Sequence, residues 1–81
     1  MPAAAIPRAV TSGETRGLLK VVVDGDTDQI LGASILAAEG GEVMAVVQVA
    51  MLSGLPYTAL RDMIFAHPTM AEGLNDLFAR I

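Results

Sequence analysis

One change of hydrophobic period does most to limit what this chain can become. From Leu18 to Ala37 apolar residues alternate as in strands, and from Glu39 onward they recur at the spacing of a helix. Leu18 to Asp24 is β-branched, with Leu19, Val21 and Val23 on one face and Leu18, Lys20 and Val22 on the other. The polar turn Asp24-Gly25-Asp26-Thr27-Asp28 follows, and Gln29 to Ala37 then sets Leu31, Ala33 and Ile35 against Ile30, Gly32, Ser34 and Leu36. Two such runs around a short polar turn form an antiparallel hairpin. Ala3 to Thr11 alternates weakly and contains Pro7, which an edge strand tolerates, so a further strand is expected there.

The helical half divides into three. Glu39 to Ser53 carries the stripe Val43, Val46, Val47, Ala50 and Met51, with Glu39 and Glu42 in the first turn, where carboxylates suit the helix dipole. Gly54 supplies a stop, and Pro56 opens a second helix through about Phe65 with Leu60, Met63 and Ile64 inward. A third runs from about Met70 to Ala79 and packs through Leu74, Leu77 and Phe78. Gly40-Gly41 reads as a close backbone approach at a helix start. The sum is an α+β fold, an antiparallel sheet of about three or more strands with helices packed on one face.

At 81 residues the chain is a single domain, residues 1–81, with residues 1–2 expected to be linker or an added start. A hydrophobic content of 53% exceeds what a small core can absorb, which points to an apolar face covered by a partner, most economically a homodimer. The net charge of −4 argues against nucleic acid, whose phosphates call for basic residues. The longest apolar stretch, Val43 to Leu55, is shorter than the about 20 residues that span a bilayer, so no membrane partner is expected. No secretory signal opens the sequence, and cytoplasm is the expected compartment. With no cysteine and one histidine, no metal site is expected. The triplet Asp24, Asp26, Asp28 opens like a calcium loop, but Gln29 and Ile35 stand where that loop needs glycine and glutamate.

The remaining chemistry lies in His67-Pro68-Thr69-Met70-Ala71-Glu72. Proline holds the preceding residue out of the helical region, so His67 should project from a turn ahead of a helix. Two readings of the segment stand side by side. In one, Thr69 and Glu72 form a capping box and the carboxylate is structural. In the other, Glu72 holds one ring nitrogen of His67 and fixes its tautomer, leaving the second nitrogen for proton transfer.

Several phrases together resemble the C-terminal dimerisation domain of FAD-dependent pyridine nucleotide-disulfide oxidoreductases, the group of glutathione reductase, dihydrolipoamide dehydrogenase and mercuric reductase. They are Thr15-Arg16-Gly17-Leu18-Leu19-Lys20, Ile30-Leu31-Gly32-Ala33, the acidic helix start at Glu39 to Glu42, and above all His67-Pro68-Thr69 with Glu72. Gly54-Leu55-Pro56-Tyr57, Leu60-Arg61-Asp62 and Glu72-Gly73-Leu74-Asn75-Asp76-Leu77-Phe78 resemble the bacterial mercuric-reductase-like branch associated with reactive chlorine resistance.

The resemblance implies a dimerisation-domain fold and an excised part of a longer flavoenzyme, whose FAD and NAD(P) domains and cysteine pair lie elsewhere in the polypeptide. It implies FAD and NAD(P)H in the full-length enzyme and none bound by this piece alone, which is not expected to be active by itself. His67 would act as acid/base on the partner subunit's dithiol, oriented by Glu72, and a cis bond would bring the His67 and Pro68 backbone near the partner's flavin. Two alternatives use the same residues: a freestanding homodimeric interaction module without a catalytic role, and a small acid/base enzyme built on His67 and Glu72 within one chain.

Overall fold

The computed structural model describes all 81 residues. β1 (Leu18–Val23) and β2 (Ile30–Leu36) pair antiparallel, with Leu18 opposite Leu36, Lys20 opposite Ser34 and Val21 opposite Ala33. Asp24 builds the turn between them, its carboxylate accepting the N–H groups of Asp26 at 2.8 Å and Thr27 at 3.2 Å. That is the local turn chemistry short acidic side chains favour. Strict alternation fails at one point. The register shifts between Val22 and Val23, which face Gly32 and Ile30 respectively, so Leu31 is the additional residue of a bulge. Ile30 therefore enters the core, and Leu31 is left 58% exposed instead of sharing a face with Ala33 and Ile35.

The sheet has two strands, and the expected strand over Ala3 to Thr11 is corrected. Ala3–Ala5 form a 3-10 turn and Pro7–Ser12 form helix α1. Pro7 stands at the first helical position, where its missing N–H costs nothing, and the buried residues Ala3, Ile6 and Ala9 recur every third residue. Only the start of the chain reaches the sheet. Met1 and Leu19 exchange backbone hydrogen bonds at 2.8 Å, and Ala3 N–H donates to the Gly17 carbonyl at 3.0 Å.

Three helices follow: α2 (Gly40–Leu52), α3 (Tyr57–Asp62) and α4 (Gly73–Ala79). Helix α2 packs on β2, α4 on β1, and α3 against α4, giving the α+β arrangement. Val43, Val47, Leu74 and Phe78 meet Ile6 and Leu19 in the core, and no polar side chain is buried. A Cβ on Gly40 would lie 2.9 Å from the Ile35 carbonyl oxygen, the close approach expected there, whereas Gly41 faces open space. The Tyr57 N–H donates to the Asp28 carbonyl at 2.8 Å, which ties the start of α3 to the hairpin turn.

Two helix boundaries depart from the periodicity. Helix α3 ends at Asp62, and Met63 is extended at φ −62° and ψ 143°, so Met63 and Ile64 do not point inward; Ile64 is 94% exposed. Helix α4 begins at Gly73, after a tight turn in which the Gly73 N–H donates to the Met70 carbonyl at 3.1 Å. Met70 is still buried. The ten residues between the two helices carry the candidate site.

Candidate functional site

From Ile64 to Thr69 the backbone makes no hydrogen bond to other backbone groups. Side chains hold this segment instead. Thr69 Oγ1 donates to the Ala66 carbonyl at 2.8 Å and accepts the Glu72 N–H at 3.2 Å, drawing both arms of the turn together. The second of these bonds is one half of the capping box. The other half is not made, because the Glu72 carboxylate turns toward His67, with Oε1 and Oε2 lying 2.7 and 2.9 Å from Nδ1. Thr69 is thus used as the cap reading has it and Glu72 as the paired reading has it.

The His67–Pro68 peptide bond is cis, as the resemblance implies. The His67 side chain is 67% exposed while that of Glu72 is 15% exposed. An ionised carboxylate only accepts, so Nδ1–H is the donor in this contact, and Nε2 is the ring nitrogen that Glu72 leaves unengaged. Chemically the arrangement can take a proton at Nε2 while Glu72 stabilises the resulting imidazolium. Within this chain no cysteine stands near for it to serve.

Nearby, Arg61 grips Asp62 through Nε at 2.9 Å and Nη2 at 3.0 Å, and its guanidinium lies over the Tyr57 ring, 5.7 Å from the centroid. Hydrogen bonding to Arg61 lowers the Asp62 carboxyl below its ordinary value, and the same bond raises Arg61. A lowered carboxyl stabilises the fold above its ordinary pKa, and that small contribution is lost as pH falls through the lowered value.

Asn75 is a residue that sequence reasoning passed over. Its amide Nδ2 lies 2.9 Å from the Leu60 carbonyl, 3.0 Å from that of Arg61 and 2.8 Å from that of Met63, so its two N–H groups are shared among three acceptors. Two of these are end carbonyls of α3, which a helix cannot satisfy for itself. The available signal is a poor helix former placed inside a short helix between Leu74 and Leu77.

Removing the Thr69 hydroxyl should be felt in stability. Thr69→Ala is expected to cost about 1–2 kcal/mol, the range for losing a cap and leaving its partners unpaired, and Thr69→Ser to cost less. Urea unfolding followed by circular dichroism reads both, and an unchanged midpoint for the alanine variant would contradict the pinning role.

The sequence profile of the pyridine nucleotide-disulphide oxidoreductase dimerisation domain matches residues 1–78, and this chain belongs to that family. It is 51% identical, over all 81 of its residues, to a probable pyridine nucleotide-disulfide oxidoreductase of Escherichia coli strain K12, RclA, and spans 18% of that protein. It is 41% identical over 70 residues to the mercuric reductase of Shewanella putrefaciens, covering 86% of this chain and 13% of that enzyme. The solved structure of E. coli RclA, described as an HOCl-induced flavoprotein disulfide reductase in complex with Cu(II), superposes with a TM-score of 0.97 at 51% identity. That superposition covers 100% of this chain and 18% of the other. The chain thus spans under a fifth of the relatives it matches. No helix is long and apolar enough to cross a membrane.

Proposed function

We propose that this domain joins two subunits of an FAD-dependent pyridine nucleotide-disulfide oxidoreductase and lends each partner an acid/base group, His67, held by Glu72. The observation that carries the reading is the orientation of one ring. Nδ1 is held by the Glu72 carboxylate at 2.7 Å in a side chain that is 67% exposed, which leaves the ring open to groups outside this domain. An exposed imidazole held at one nitrogen can serve groups outside its own domain, and membership of a dimerisation-domain family favours those of a partner subunit.

In that setting Nε2 takes a proton from the dithiol, leaving a thiolate for attack on a disulfide, and later returns it to the departing sulfur. The imidazolium formed in between stabilises the thiolate, and Glu72 stabilises the imidazolium. FAD, when bound, supplies the electron relay between NAD(P)H and the dithiol. The residues of this chain that would border it are His67 and Pro68, both exposed on a stretch whose backbone groups are not engaged with other backbone. They fit a contact at the flavin's edge rather than a cradle for the whole cofactor, consistent with FAD and NAD(P) domains elsewhere in the polypeptide.

The homodimeric part of the reading rests on apolar residues outside the core. Val49 and Leu52 on α2 are exposed, as are Leu18, Val22 and Leu36 on the outer face of the sheet. The chain is expected to self-associate through these two surfaces at micromolar concentration. Sedimentation velocity tests it: a dimer weakened by Leu52→Glu supports the reading, and a strict monomer contradicts it. The site itself is tested by resolving the enzyme's two half-reactions in the His67→Ala variant.

A further inference from the structure

We propose that Asn75 is the positioning residue that seats His67. The consequence for catalysis rests on the reading of His67 as the proton-carrying group; the seating itself rests on geometry alone.

From Met63, the last residue whose N–H is bonded to α3, to Glu72, just ahead of α4, the chain makes few hydrogen bonds, beside the burial of Met70 in the core and the packing of Phe65 against it. Thr69 pins the middle through Ala66 and Glu72. The His67–Glu72 contact joins its two arms. Asn75 fixes where the segment leaves α3, gripping the Leu60, Arg61 and Met63 carbonyls with one amide group.

Asn75 stands on α4 one turn beyond Glu72, and its own N–H donates to the Glu72 carbonyl at 3.1 Å. One residue therefore holds both ends of the loop, the exit from α3 through its side chain and the Glu72 backbone through its N–H. The spacing between the approach to His67 and the carboxylate that receives its ring follows from that double hold. A ring nitrogen contact of 2.7 Å tolerates little drift, since hydrogen bonds weaken steeply with lost alignment. Without the amide, the three carbonyls would lose this partner, and the exit from α3 would be held only by the packing of Phe65 against the core and by the Thr69 pin.

The chain's single histidine makes the test direct. In ¹⁵N-labelled protein at mildly alkaline pH, the two ring-nitrogen shifts report which nitrogen bears the proton. The parent chain is expected to give the Nδ1–H pattern. Asn75→Leu, similar in volume but without donors, is expected to lose it in favour of a mixture dominated by Nε2–H, while Val43→Ala, a core substitution on α2, keeps it. Should Asn75→Leu fail to fold, Asn75→Ser retains one donor and is expected to show a partial loss of the Nδ1–H pattern.

A folded Asn75→Leu or Asn75→Ser chain with the parent's ring-nitrogen shifts would overturn the proposal, as would a parent chain in the Nε2–H form. Because these shifts report the seat and not turnover, their outcome is independent of whether His67 serves a partner's dithiol. The half-reaction experiment decides that separately.

Discussion

If the proposed reading holds, in the full-length protein His67→Ala is expected to slow transfer from the reduced dithiol to its acceptor by about 10²–10⁴-fold, the range for losing a positioned general acid/base. Reduction of the flavin by the nicotinamide should stay near the parent rate. The asymmetry follows from the chemistry that needs Nε2. Hydride delivery to a flavin involves no thiol proton, whereas releasing a thiolate and reprotonating a leaving sulfur both do. Glu72→Gln keeps the size of the side chain but replaces a pure acceptor with an amide that can also donate, so it should give a smaller loss confined to the same half-reaction. Stopped-flow absorbance separates the steps, and equal losses in both would contradict the assigned role.

The second large effect concerns the fold and lies at Gly17. Its φ is +129°, a conformation that L side chains rarely adopt, and a Cβ there would lie 1.8 Å from the Leu36 carbonyl oxygen and 3.1 Å from the Ala37 Cα. These obstacles are backbone, so no side chain can swing aside. Relief would require parting Leu18 from Leu36 at the end of the hairpin and displacing the Gly17 carbonyl that receives the Ala3 N–H. Gly17→Ala should therefore fall in the severe tail of single substitutions, above about 4 kcal/mol, a large share of what an ordinary small domain possesses. Gly13 supplies the control. It too has positive φ, +77°, but open space around it, so Gly13→Ala should cost only about 1–2 kcal/mol. Similar urea midpoints for the two variants would mean that Gly17 does not sit against β2 as described.

How much of this was legible in advance differs from element to element. The hairpin and α2 were, because each keeps one hydrophobic period long enough to be read: the runs became β1 and β2, and Val43, Val47 and Ala50 of the stripe are buried. The first eleven residues misled, since their true period is three and is carried by two small alanines around Ile6, a pattern too faint to outweigh the strand-like alternation. Leu31 misled because a bulge shifts the register by one residue, which no alternation rule anticipates. The end of α3 was hidden for a different reason. Met63 and Ile64 continue the helical spacing, yet the carbonyls of Leu60 and Arg61 at the helix end, and that of Met63, are received by an amide on α4, twelve residues beyond Met63. In the candidate site, local sequence supplied His67, Thr69 and Glu72 but not the choice between cap and pair, because the Glu72 carboxylate could have served either. Geometry gives the cap to Thr69 and the carboxylate to His67.

The central claim is that His67 works across a subunit boundary, and mixed dimers test it most directly. One subunit would carry His67→Ala with its cysteine pair intact, and the other an intact His67 with its dithiol cysteines replaced by serine. If each histidine serves the opposite subunit, the mixed dimer contains one complete site and regains acceptor turnover that neither parent homodimer has. Purified mixed dimers as inactive as both parents would place His67 and its dithiol on the same subunit and contradict the account.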